Sequence, residues 1–119
     1  MDTPKTRVLV VDDDLHTLRV VTMWLKRHGY EVAEAHDGAE ALRMCRARVP
    51  DLLVTDVNMP QVTGIELVRQ VRADGLDVRG VVVLTNRCDQ IEILEELEGL
   101  DVNLLAKPFS PSKLLELIR

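Results

Sequence analysis

Three carboxylates stand side by side in RVLVVDDDLH (residues 7–16), where Asp12, Asp13 and Asp14 follow a run of apolar β-formers. Two unit charges about 4 Å apart at an effective dielectric near 20 repel by roughly 4 kcal/mol. Aspartates are common in turns, so one reading is an ordinary strand-to-helix loop. The other is that a cation sits among them. Further along, Asp56 closes the apolar run LLVT, Thr85 closes GVVVLT, and Lys107 lies in NLLAKP. Carboxylates with a backbone carbonyl suit Mg²⁺ or Mn²⁺, and a carboxylate can also attack phosphorus to form an aspartyl-phosphate. Such a transfer spreads negative charge over three equatorial oxygens, which a metal ion, an ammonium and a hydroxyl can stabilise.

These residues can act together only if the chain brings them together. Continuous apolar runs at residues 8–11, 52–55 and 80–85, with a short alternating one at 31–35 and a last short one at 103–108 stopped by Pro108, predict five strands. Between them lie segments of helical period. Leu15, Leu18, Val21 and Leu25 predict a first helix, closed by His28 and Gly29. Asp37 with Glu40 resembles a capping box ahead of Ala41, Leu42, Cys45 and Val49. Gly64, Leu67, Val68 and Val71 mark a third helix. Asp89 with Glu92 offers a cap for a fourth, carrying Ile93, Leu94 and Leu97. Ser110 and Pro111 open a fifth, with Leu114, Leu115 and Ile118 inward. Strand–helix alternation of this kind predicts an α/β fold, a parallel sheet with helices on both faces joined by right-handed crossovers. All strand carboxyl ends then share one edge, where ligands bind in open α/β sheets. Singly, each residue is unremarkable: a strand-end Asp caps, a Thr is a β-former, a Lys is solvated. Their convergence on one edge is what points to chemistry.

The totals narrow the classes. A chain of 119 residues with 46% hydrophobic and 29% charged residues suits one soluble domain, with aromatics confined to Trp24, Tyr30 and Phe109. The net charge of -5 argues against direct nucleic-acid binding by this domain. No apolar run approaches a membrane span, and MDTPKTR lacks the apolar stretch of a signal peptide, so a cytoplasmic protein is expected. Cys45 and Cys88 lack C-x-x-C spacing, and His16, His28 and His36 lack metal-ligand spacing.

With these residues in view, the whole chain resembles the receiver domain of two-component response regulators. The resemblance is carried by VLVVDDD, by LLVTDVNMPQVTG with its D-x-x-M-P-x-x-x-G pattern (Asp56, Met59, Pro60, Gly64), by VVVLT and by AKPF. The 22-residue step from Thr85 to Lys107 also agrees. It implies a flavodoxin-like (βα)5 fold with strand order 2-1-3-4-5 and a single receiver domain over residues 1–119, with the N-terminal part of a longer protein as one reading.

The resemblance also implies roles. Asp56 would be the phosphoacceptor, taking a phosphoryl group from the phosphohistidine of a sensor histidine kinase or phosphotransfer protein. Asp12 and Asp13 would hold Mg²⁺ (or Mn²⁺) with Asp56, Asp13 directly and Asp12 partly through water, and Asn58 would add its backbone carbonyl. Thr85 and Lys107 would meet the phosphoryl oxygens, and the Lys107–Pro108 peptide would be cis. Asp14 matches no ligand and is read as the cap of the first helix. The chain would be a phosphorylation-dependent switch that promotes its own modification, not a turnover enzyme on an external substrate. A homodimer through the face of helix four, strand five and helix five is a further partner reading.

Two departures concern propagation of the signal. Leu104 stands where the family has an aromatic switch residue, and Asn86 follows Thr85 where a smaller residue is usual. Asn86 could crowd Asp56 or bond the phosphoryl group, and Asn58 and Arg87 would flank the path of the hydrolytic water. A receiver-like interaction module with degenerate switching is the alternative. An aspartyl-phosphate hydrolase fits less well, because Asn58 replaces its usual second Asp and no cap subdomain fits in this length. Dinucleotide binding lacks a G-x-G-x-x-G.

Overall fold

The computed structural model describes residues 5–86 and 90–118, with the side chains of residues 86, 90 and 91 outside the description. Five strands alternate with five helices: β1 Arg7–Val11, α1 Leu15–Arg27, β2 Glu31–Ala35, α2 Gly38–Ala47, β3 Leu52–Asp56, α3 Gly64–Ala73, β4 Gly80–Asn86, α4 Gln90–Glu96, β5 Asn103–Lys107 and α5 Pro111–Ile118. The strands form one parallel sheet in the order β2-β1-β3-β4-β5.

Side chains alternate across each strand, so each buried strand feeds two cores. Leu9, Val11, Leu53, Val81 and Val83 point to one face and pack with Ala41 and Cys45 of α2, Leu67, Val68 and Val71 of α3, and Ile93 and Leu97 of α4. Val8, Val10, Val54, Val82 and Leu84 point to the other, where Leu18, Val21 and Leu25 of α1 meet Leu114, Leu115 and Ile118 of α5. Both cores are aliphatic at their centres, with Trp24, Tyr30 and Phe109 at the margin of the second. Among the described residues, no helix is long and apolar enough to cross a membrane.

Three residues expected on inward faces are exposed. Leu15 is 53% exposed at the first position of α1. Val49 is 39% exposed because α2 stops at Ala47 and Arg48 is already extended. Leu94 is 56% exposed, since Ile93 and Leu97, at four-residue spacing, take the side of α4 that faces the core. The expected cap at Asp89 lies outside the described residues, as do Arg87 and Cys88.

Candidate functional site

The carboxyl ends of β1, β3, β4 and β5 converge as the alternation requires. Register sets Val11 beside Thr55, Asp56 beside Leu84, and Thr85 beside Ala106. The chain leaves β1 through Asp12, whose N–H still reaches the Ala35 carbonyl at 3.2 Å. Asp12 is buried, and both its oxygens are engaged: Oδ1 accepts the Asp14 N–H at 2.9 Å, and Oδ2 accepts from Lys107 Nζ at 3.2 Å. Lys107 Nζ also lies 3.1 Å from Asp56 Oδ1. One half-buried ammonium is thus shared by two buried carboxylates. The Lys107–Pro108 peptide is cis, as expected.

Asp13 is exposed and completes the cluster: one carboxylate oxygen from each of Asp12, Asp13 and Asp56 lies within 4.8 Å of the others. Among the described residues three carboxylates face one ammonium, a deficit that a divalent cation with oxygen ligands would balance. The electrostatics agree. Burial raises the Asp56 carboxyl above its ordinary pKa, Lys107 opposes this, and the charges of Asp12 and Asp13 add to the rise. For Lys107, burial alone would lower the ammonium pKa, but the attraction of Asp56 and Asp12 outweighs it and raises the value.

The loops follow from local rules. Asp14 is not in the carboxylate cluster; it caps α1, accepting from the His16 N–H at 3.1 Å and the Thr17 hydroxyl at 2.8 Å. The Thr17 hydroxyl, then the His16 N–H, hold its carboxyl below the usual range. After β3, the Gly64 N–H returns to the Val57 carbonyl at 3.0 Å, folding the Met59-Pro60 loop over the end of the strand. Thr63 caps α3 by accepting the Glu66 N–H at 3.2 Å, a T-x-x-E signal that the sequence carries.

Thr85 is buried at the end of β4. Asn58 is exposed and, with Val57, lines a cleft of about 430 Å³ between α3 and α4. Leu104 is half-buried and packs against the core that holds Ile93 and Leu97. The Asn86 side chain lies outside the described residues. A second cleft, of about 400 Å³, runs from Lys107, Pro108 and Phe109 to His16, Thr17, Val20 and Val21 of α1.

Two arginines were not singled out from sequence. Arg69 donates to the Glu96 carbonyl at 3.0 Å. Arg72 donates to the carbonyls of Val78, Leu100 and Asp101 at 2.8, 3.2 and 3.4 Å. Together they fasten the end of α4 and the following loop to α3. Charge alone could not single them out, since the acceptors are backbone carbonyls with no sequence signature.

A family model described as the response regulator receiver domain matches residues 8–119. The DNA-binding response regulator MtrA of Mycobacterium tuberculosis is 36% identical over 120 residues, covering 100% of this chain and 51% of that protein. The response regulator MprA of Mycobacterium avium is 43% identical over 116 residues, covering 95% of this chain and 49% of that protein. The chain therefore spans about half the length of the curated relatives it matches. Among solved structures, the chemotaxis protein CheY4 of Vibrio cholerae superposes with a TM-score of 0.87 at 35% identity, covering 95% of each chain.

Proposed function

Because the chain belongs to the response regulator receiver domain family, whose members are phosphorylation-dependent signalling switches, we propose that Asp56 is the residue it modifies. The observation that carries this reading is the Lys107 ammonium 3.1 Å from Asp56 Oδ1, beside carboxylates able to hold a divalent cation. In the proposed step an Asp56 carboxylate oxygen attacks the phosphorus of a phosphohistidine. The P–N bond breaks and the imidazole leaves with the electron pair. Asp12, Asp13, Asp56 and the Asn58 carbonyl would hold Mg²⁺, which supplies charge stabilisation for the transferring group. Lys107 exchanges its contact with the Asp56 carboxylate for a phosphoryl oxygen, and Thr85 donates its hydroxyl to another. Modification adds about -1.5 to -2 charge and three acceptor oxygens, so these contacts would bias the packing around α4 and β5.

The donor is read as a sensor histidine kinase or phosphotransfer protein. This is supported by the cleft that joins Lys107 to α1, bordered by the exposed Val20 and with Leu15 and Met23 exposed on the same helix. The reading takes residues 1–119 as one receiver unit in the cytoplasm, promoting its own phosphorylation without turning over an external substrate. A module with degenerate switching has less support, since Asp12, Asp13 and Lys107 all gather at Asp56.

A phosphodonor with Mg²⁺ should add one phosphoryl group per chain by intact mass, and Asp56→Asn should take none. Equal labelling of the Asn variant would move the acceptor elsewhere.

A further inference from the structure

β3 is apolar from Leu52 to Val54, yet its next residue is Thr55, which is fully buried. In register it stands between Val11 of β1 and Val83 of β4, both fully buried in the core that also holds Leu53. Valine has the same branching and would fill that place with no hydroxyl to satisfy. A buried hydroxyl needs a partner, and this one donates to the Asp56 carbonyl at 3.0 Å. Two backbone contacts act on the same stretch. The Val57 N–H donates to the Leu84 carbonyl at 3.0 Å, and the Gly64 N–H donates to the Val57 carbonyl at 3.0 Å. The Asp56–Val57 peptide is thus held at both its oxygen and its N–H, and the Val57–Asn58 peptide at its oxygen. Of these three bonds, that of Thr55 alone comes from a side chain.

We propose that Thr55 is a positioning residue for the acceptor site. Its hydroxyl fixes the peptide that joins Asp56 to Val57, and so aims two groups at once. One is the Asp56 carboxylate, borne on the Cα before that peptide; the other is the Asn58 carbonyl, two residues on. This role rests on the reading of Asp56 as the acceptor and of the Asn58 carbonyl as a metal ligand. Side chains alternate along a strand, so Thr55 lies on the opposite face of β3 from the Asp56 side chain and acts through the backbone. The oxygen that it binds also lies against Gly64, where a Cβ would strike it. Rotation of this one peptide is therefore felt both at the site and at the start of α3. An attacking group misplaced by about 1 Å slows a reaction by about 100-fold, so a bond that sets a peptide plane weighs on rate more than on stability.

The test compares Thr55→Val, which keeps the shape and loses the hydroxyl, with Thr55→Ser, which keeps the hydroxyl and loses the methyl. Phosphoramidate with Mg²⁺ serves as the phosphodonor: an Asp56 oxygen attacks phosphorus, the P–N bond breaks and ammonia leaves. Uptake is followed by intact mass. For Thr55→Val the labelling rate at saturating donor should fall roughly tenfold, with the half-saturating donor concentration unchanged. Its Mg²⁺ affinity should weaken by about tenfold. Thr55→Ser should label close to the parent rate even though its urea midpoint falls. In the ¹³C,¹⁵N-labelled chain, the Asp56 carbonyl and Val57 amide signals should move in Thr55→Val and hold in Thr55→Ser. Gly75→Ala, strained at φ 69° beyond the end of α3, is a destabilised control that should label at the parent rate. Thr55→Val labelling as fast as the parent, or Thr55→Ser slowed as much as Thr55→Val, would overturn the proposal and leave Asp56 as the acceptor. A parent that takes up no phosphoryl group, or no more than Asp56→Asn does, would instead overturn the reading of Asp56 beneath it.

Discussion

Gly64 begins α3 so close beneath the end of β3 that a Cβ on it would strike the carbonyl oxygen of Asp56. The same Cβ would stand 2.9 Å from the Asp56 carbonyl carbon and 3.0 Å from Val57 Cα. These are backbone atoms of the strand that presents the site, so relief would displace Asp56 itself. Gly64→Ala is expected to cost about 2–3 kcal/mol in urea unfolding. Gly75→Ala, at φ 69° with open space around it, should cost only about 1 kcal/mol. Equal costs would show that the strand end yields freely.

Asp56 makes stability depend on pH in a stated direction. Its carboxyl is raised in the folded chain by burial, with the Asp12 and Asp13 charges adding to the effect against Lys107. A folded-state value above the unfolded one gives stability that is full below the unfolded pKa and lost as pH rises through the folded pKa. Asp56→Asn should therefore melt at a higher temperature than the parent at neutral pH in chelator, with the gap closing as the medium is acidified. Mg²⁺ should raise the melting temperature of the parent far more than that of the variant. A variant less stable than the parent at neutral pH would reverse this account of the pocket.

Thr22 faces the core from α1, and among the described residues its buried hydroxyl oxygen has no hydrogen-bond partner. Replacing it with an isosteric methyl removes the desolvation cost and keeps the shape. Thr22→Val should gain about 1 kcal/mol, read from the urea midpoint. A loss of stability would mean that the hydroxyl has a partner in solution.

Cys45 is buried among the aliphatic residues of α2 and α3, and burial pushes its thiol up to about 11. Thiolate is the reactive form, so the native chain should take no iodoacetamide at Cys45 at mildly alkaline pH, while the urea-unfolded chain labels readily. Peptide mapping distinguishes Cys45 from Cys88. Rapid native labelling at Cys45 would show that α2 opens.

Much of the site could be read from the sequence because strand ends are where apolar runs stop. Asp12, Asp56, Thr85 and Lys107 each sit at such a stop, and parallel alternation obliges those stops to share an edge. Leu15, Val49 and Leu94 are exposed because periodicity marks a helix but not its ends or the width of its buried side: Leu15 opens α1, Val49 lies beyond the end of α2 at Ala47, and Ile93 and Leu97 take the core side of α4. Left-handed backbone at Gln61 and Asp101, with φ of 67° and 55°, was equally invisible, since neither is glycine. The carbonyl contacts of Arg72 and the capture of the Arg7 N–H by Asp51 at 2.8 Å depend on tertiary placement alone.

The lysine that bridges Asp12 and Asp56 enters from the last strand, 95 residues after the first of them. During synthesis on the ribosome, both acids emerge well before their counter-charge, and β5 can seat only once β4 is in place beside it. A chain cut before β5 would lack the ammonium that Asp12 and Asp56 share, leaving the two buried acids to face each other uncompensated.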